Sequence, residues 1–241
     1  MKTTVVLLTW QRLNTLRRTL SALSSQTYKN FDVVISNANL EKVDLVERQA
    51  NVFSNRLRIT VRHDGNEEYA FRRMTVGRDL ANSGTDLVIF IDDDVTFSFS
   101  YIQNCINQYE PKTYQSYFAW RFYNNGADYY KFRNRVYDNT KRIHYCGTGV
   151  GMIDASIFLE EGLFKKPKEA LLVEDLWLSY YAQHVLGWNL KFMNQPGTVI
   201  RGGDSAALYK KIILDKKNQQ IGYDKADLLR LLIKKYKWKL Y

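Results

Sequence analysis

The sequence predicts an α/β fold, a mostly parallel sheet with helices on both faces, and three observations carry that prediction. Between Thr3 and Asp94, short β-branched and apolar runs alternate with longer stretches whose apolar residues recur every three or four positions. Alternation of strand and helix of this kind builds parallel sheets. The run Leu87-Val88-Ile89-Phe90-Ile91 contains no polar residue, as expected of a strand buried on both faces. Finally, three of the strand runs end in polar groups, at Thr9 to Arg12, Asn37 to Asn39 and Asp92 to Asp94. Those ends fall on one rim, beyond the carboxyl ends of the strands, where open α/β sheets bind ligands.

In order, Thr3 to Thr9 reads as the first strand, and Gln11 to Gln26, with Leu13, Leu16, Leu20 and Leu23 on one face, as an amphipathic helix. Phe31 to Ile35 is the second strand, Val43 to Phe53 a helix and Leu57 to Val61 the third strand. A helix over Phe71 to Asn82, stopped by Ser83-Gly84, feeds the acidic strand. Beyond Asp94 the character changes: Tyr101 to Tyr109 is a short helix, Tyr114 to Tyr123 an aromatic strand, and Tyr129 to Tyr145 is rich in Tyr, Arg and Lys. In Cys146-Gly147-Thr148-Gly149-Val150-Gly151 the glycines either let backbone approach a substrate or make a plain turn. Val173 to Ala182 opens a helix whose first residues are Glu174 and Asp175, Trp188 to Met193 is a strand, and Lys225 to Tyr241 is a basic amphipathic helix. Residues 1–209 are thus expected to form the main domain, divided at 96/97, with residues 210–241 as a basic helical appendage.

The formal net charge of +10 points to acidic partners, which a nucleoside diphosphate, an anionic membrane surface or DNA would each satisfy. Cys105 and Cys146 make no metal-ligand spacing or disulfide framework and are expected as buried thiols. The start of the chain lacks the pattern of a signal peptide and no apolar run reaches eighteen residues, so the expectation is a cytoplasmic protein, peripheral to a membrane if its basic tail lies there. No obligate protein partner is evident. Nucleotide-triphosphatase and dinucleotide-enzyme classes are disfavoured, because no Gly-x-x-x-x-Gly-Lys occurs and the first strand runs into Trp10-Gln11-Arg12 without a glycine.

Two carboxylates about 4 Å apart repel by roughly 4 kcal/mol at an effective dielectric near 20. Side chains alternate along a strand, so Asp92 and Asp94 would share a side while Asp93 points away. Mg²⁺ or Mn²⁺ would remove the repulsion and offer positions to phosphate oxygens. A solvated strand end or a helix cap is the alternative. A calcium loop fits badly, with Phe97 where glycine is needed and Gln103 where glutamate is.

Leu8-Thr9-Trp10-Gln11-Arg12, the apolar run into Asp92-Asp93-Asp94, and Val173-Glu174-Asp175-Leu176-Trp177 occur in an order that resembles family-2 glycosyltransferases of the GT-A fold. The resemblance, over roughly Thr3 to Ala207, implies a metal-dependent, inverting transfer of a sugar from a nucleoside-diphosphate donor to an acceptor hydroxyl on a glycan, a lipid-linked saccharide or a modified DNA base. By the same resemblance, residues 1–96 form the donor half and 97–209 the acceptor half. Thr9, Gln11, Arg12, Asn37 and Asn39 would cradle base and ribose, Asp92 and Asp93 ribose and diphosphate, and Gly149 would line the pocket. Arg73 would reach the phosphates or simply lie on a solvated helix face. Mn²⁺ or Mg²⁺ would rest on Asp92 and Asp94, with Asp204 replacing a histidine that many relatives carry, Arg201 neutralising phosphate in its place, or Asp94 alone holding the ion. Asp175 would be the catalytic base and Glu174 its support or an acceptor ligand; the reversed assignment stays open. Asn37 and Asn39 stand where the family has an acid, so they would either meet the base or make a turn. A catalytically silent sugar- or nucleotide-binding module and a nucleotidyltransferase are the competing classes.

Overall fold

The computed structural model describes residues 1–65, 68–123, 128–200 and 224–240. Strands β1 (Thr3–Thr9), β2 (Asp32–Asn37), β3 (Arg58–His63) and β4 (Leu87–Asp92) run parallel in the spatial order β4-β1-β2-β3. The register sets Leu8 beside Asp92 and Thr9 beside Asn37, so the three polar strand ends do share one rim. Helices α1 (Leu13–Ser24), α2 (Val43–Asn51) and α3 (Arg72–Asn82) fall within a few residues of the expected bounds.

After β4 come β5 (Val95–Thr96), α4 (Tyr101–Gln108), β6 (Thr113–Ser116) and β7 (Ala119–Phe122). The single strand expected over Tyr114 to Tyr123 is therefore two strands in two sheets. Ser116 causes the break: its Oγ donates to the carbonyls of Gly147 and Val150 and accepts from the Phe118 N–H at 2.9 Å, turning the chain at Tyr117 and Phe118. The second half of the expected strand, β7, pairs antiparallel with β8 (Arg133–Val136) and β9 (Tyr145–Cys146) in a small separate sheet.

A further strand, β10 (Val150–Asp154), was not expected and enters the main sheet antiparallel between β4 and β6. Its Val150, Met152 and Ile153 are buried; the glycines around them mask an apolar run too short to signal a strand by itself. Short helices α5 (Glu161–Phe164) and α6 (Glu174–Tyr180) follow, and then β11 (Asn189–Phe192), which closes the sheet parallel to β6. β12 (Val199–Ile200) pairs with β5, immediately after the acids. The last helix, α7 (Lys225–Lys234), stops short of the expected Tyr241, because Lys237 takes a positive φ of 57° and the Trp238 N–H turns back to the Leu232 carbonyl.

Alternation along the strands divides the interior in two. Val5, Leu7, Val33, Ile35, Ile89 and Ile91 meet the leucines of α1 on one face. On the other, Val6, Val34, Val88 and Phe90 belong to a larger cluster with Met74 of α3, Leu176 of α6 and Leu228, Leu229 and Leu232 of α7. Helices thus pack on both faces of the sheet, and the carboxyl ends of β1, β2 and β4 meet along one edge between them.

Candidate active site

Strand β4 places Asp92 last in its run, on the face occupied by Val88 and Phe90 and hence toward α3 and α6. Arg73, on the first turn of α3, meets it: one terminal nitrogen pairs with Asp92 and the other lies 2.5 Å from Glu174 Oε1. Thr148 donates to the same Glu174 oxygen at 2.9 Å. Burial pulls the Arg73 guanidinium down, yet Asp92 and then Glu174 hold it above its ordinary value. Burial likewise raises the Glu174 carboxyl, with Arg73 opposing. Arg73 is thus a bridge between the two acidic groups, buried to 9% exposure.

The extended backbone ends at Asp92, so the expected alternation does not continue through the next two acids. Asp93 and Asp94 both turn to Arg12: its guanidinium is 2.7 Å from Asp93 Oδ1 and also pairs with Asp94. Thr9 donates to Asp93 Oδ2 at 3.0 Å, and Thr19 of α1 donates to the Asp93 and Val95 carbonyls, fixing the turn from below. Burial, against the pull of Arg12 and with Asp92 adding to it, pushes the Asp93 carboxyl up to about 7. Burial and Asp92 also raise Asp94. Asp92 is 36% exposed and is the acid that solvent reaches. Gly149 lies over it: a Cβ there would come within 2.6 Å of Asp92 Oδ2, so only glycine lets the β9–β10 turn pass this close.

Asp175 sits beside Glu174 at the start of α6. Its Oδ1 accepts from the Leu176 N–H at 2.9 Å, while Oδ2 accepts from the Tyr145 hydroxyl and from Lys225 Nζ, the latter at 2.6 Å. Of the remaining expected site residues, Gln11 is exposed at the mouth of the rim. Asn37 is fully buried and its side chain is spent on the backbone of Asn39 and the His63 ring, while Asn39 caps the short helical turn after it by accepting from the Glu41 N–H. Both asparagines therefore do turn work in this arrangement. Asp204 and Arg201 lie outside the described residues. Thr148, Tyr145 and Lys225 were not singled out by the sequence; Thr148 lay inside the glycine segment that was.

Among the described residues no three His, Cys, Asp or Glu side chains gather as a ready-made metal centre. The donor chemistry nevertheless fits a hard divalent cation: Asp92, Asp93 and Asp94 supply carboxylate oxygens along one turn, where Arg73 pairs with the first and Arg12 with the other two. Beyond the carboxyl ends of β6 and β11, a cavity of about 490 Å³ is lined by Tyr117, Tyr137 and Phe192 together with Asp138 and the amides Gln108, Asn139 and Asn194; none of Asp92, Asp93, Asp94, Glu174 and Asp175 lines it.

With this geometry in hand the comparisons with known proteins are specific. The profile of Glycosyl transferase family 2 matches residues 4–166, and the chain belongs to that family. No curated protein matches it in sequence. GalNAc-T7 with UDP, GalNAc and Mn²⁺ superposes with a TM-score of 0.57 at 12% identity, over 99% of this chain and 55% of that one. The mannosyltransferase PcManGT from Pyrobaculum calidifontis, in complex with GDP-Man and Mn²⁺, gives 0.60 at 12% identity, over 96% and 68%. S. aureus TarS 1–349 in complex with UDP gives 0.57 at 16% identity, over 82% and 60%. The fold is the GT-A fold, and the chain spans between 55% and 68% of the length of these proteins.

Proposed function

We propose that this chain is a metal-dependent, inverting glycosyltransferase that moves a sugar from a nucleoside-diphosphate donor to an acceptor hydroxyl. The observation that carries it is the pairing of two acidic groups across Arg73, the Asp92 to Asp94 turn on one side and Glu174 with Asp175 on the other. A displacement at a sugar carbon needs such an arrangement: one group at the departing diphosphate, another at the attacking oxygen. Structural neighbours holding UDP or GDP-Man, two of them with Mn²⁺, support the donor class.

In this mechanism Thr9 and Arg12 hold the rim on which base and ribose lie, with Gln11 reachable from solvent. The acceptor oxygen attacks the anomeric carbon from the side opposite the diphosphate, and Asp175 takes its proton. The bond from that carbon to the phosphate oxygen breaks with its electron pair leaving on the diphosphate, near the guanidinium groups of Arg12 and Arg73. A divalent ion held by Asp92 and Asp94 would neutralise the charge gathering there. Glu174, fixed by Arg73 and Thr148, supports the base from its own side. Tyr117, Tyr137 and Phe192, with the amides around them, offer stacking faces and hydrogen bonds of the kind a saccharide acceptor uses.

Asp175→Asn tests the assignment. Removing a general base lowers turnover by about 100- to 10,000-fold, so the variant should bind a donor nucleotide as the wild type does, by calorimetry, while transfer collapses. Wild-type turnover in Asp175→Asn would refute Asp175 as the base.

A further inference from the structure

Lys225 is placed with unusual care for a lysine from a basic tail. Helix α7 opens with a reciprocal capping box between Asp224 and Asp227, which fixes its first turn. Leu228, Leu229 and Leu232 are fully buried, and Trp238 brings the chain end back onto Phe122 and Tyr180, with ring centroids 6.4 and 5.7 Å apart. From this anchorage Lys225 Nζ reaches 2.6 Å from Asp175 Oδ2 and also bonds the Tyr145 hydroxyl, which itself donates to Asp175 Oδ2. The ammonium lies 4.9 Å from the centre of the Tyr145 ring. A cation at a helix N-terminus opposes the helix dipole, so helix stability does not account for this residue; the carboxylate does. Burial would lower the Lys225 ammonium, yet Asp175 and then Tyr129 hold it above its ordinary value. Glu174 is the other charged group acting on it, and Arg73 faces the same acids from α3.

We propose that Lys225 is a positioning residue for the transfer reaction: together with Tyr145 it holds the Asp175 carboxylate in one orientation, so that the last helix completes a site otherwise built from the main sheet. The proposal rests on Asp175 as the base. A carboxylate on a short side chain turns freely unless its oxygens are held, and misdirection of a catalytic group costs rate more than binding. Oδ2 is held by two donors from two segments and Oδ1 by its own helix. The role requires no proton transfer by Lys225 itself. In transfer to water, the water oxygen bonds to the anomeric carbon, the diphosphate leaves with its electron pair, and the proton passes to Asp175.

The test uses the full chain with Mn²⁺ and UDP-N-acetylglucosamine, UDP-glucose and GDP-mannose, reading release of the nucleoside diphosphate. Lys225→Ala should lower kcat by about 10- to 100-fold while donor KM changes by less than about twofold. Lys225→Arg, and ethylammonium added to Lys225→Ala, should restore part of the rate. Unchanged kcat in Lys225→Ala, or a joint loss of kcat and KM that neither Arg nor the amine recovers, would overturn the proposal. If Asp175→Asn turns over normally, the base assignment has failed; if it is inactive while Lys225→Ala is normal, only the role of Lys225 has. A donor-free measurement stands beside this one: acetic anhydride labelling read by mass spectrometry should modify Lys225 at least about tenfold more slowly than the exposed Lys141, and faster once Asp175→Asn removes its partner. Equal labelling of Lys225 and Lys141 in the wild type would show that the contact is not held in solution and would also overturn the proposal.

Discussion

On the donor side of the site, Thr9, Arg12 and Asp92 to Asp94 come from the ends of two neighbouring parallel strands, and the sheet register alone brings them together. On the base side, Tyr145, Asp175 and Lys225 come from a two-residue strand, a short helix and the final helix, with Tyr145 and Lys225 80 positions apart in the chain. The donor side is therefore a property of the sheet, whereas the base side depends on how distant segments dock. Arg73 touches both, through Asp92 and Glu174.

Severing that bridge should have the largest effect on stability. Arg73→Met leaves the buried Glu174 without its cation as well as releasing the solvent-reached Asp92, and breaking a buried pair costs about 3–5 kcal/mol. Urea denaturation should show a loss of that size, and a change below about 1 kcal/mol would mean that the two sides stand independently.

Acid should distinguish the sides next. His144, buried beside the small sheet, accepts the Phe122 N–H at 3.0 Å, and its Nε2 finds no hydrogen-bond partner among the described residues. Burial, then Arg142 and Arg121, lower its pKa to about 4. Because the folded value lies below the unfolded one, the unfolded chain binds the extra proton, and stability present above about 6.5 is lost as pH falls toward about 4. The span corresponds to a loss on the order of 3 kcal/mol. Comparing denaturation midpoints at pH 7 and pH 4.5 should show a steeper acid dependence in the wild type than in His144→Gln; identical slopes would count against a neutral buried ring.

A smaller effect should stay local to the donor side. Gly149→Ala puts a methyl group where Asp92 Oδ2 lies, so the carboxylate must turn. Nucleoside-diphosphate affinity should fall about tenfold, with a stability loss near 1 kcal/mol. Calorimetry and a melt on the same sample separate the two, and undiminished affinity would place Asp92 outside the donor site.

The same contrast explains what could be read from the chain in advance. Strands β1 to β4 and helices α1 to α3 were legible because the strands are short runs rich in β-branched and apolar residues, the helices repeat apolar residues every three or four positions, and parallel sheets gather strand ends on one rim. The glycine segment was legible as either an approach to substrate or a plain turn; what Gly149 approaches is the Asp92 carboxylate, a partner no local pattern names. Strand β10 was not, since its five residues include a glycine and its pairing partners lie far away in the chain. The break between β6 and β7 depended on one serine hydroxyl finding carbonyls thirty residues on, which no local pattern reports. Tyr145 and Lys225 were hidden among many tyrosines and lysines. Only docking of the apolar face of α7 shows which lysine meets an acid, and that docking also covers the leucines that would have faced a membrane.

The central claim is that Asp92 and Asp94 grip a divalent ion together with a nucleoside diphosphate. Titrating UDP and GDP into the protein by calorimetry, with Mn²⁺ and again with EDTA, tests it in the wild type, Asp92→Asn and Asp94→Asn. Binding of one nucleotide that requires Mn²⁺ and weakens at least about tenfold in each variant is the expected result. Equal binding in EDTA, unaffected by either substitution, would contradict it.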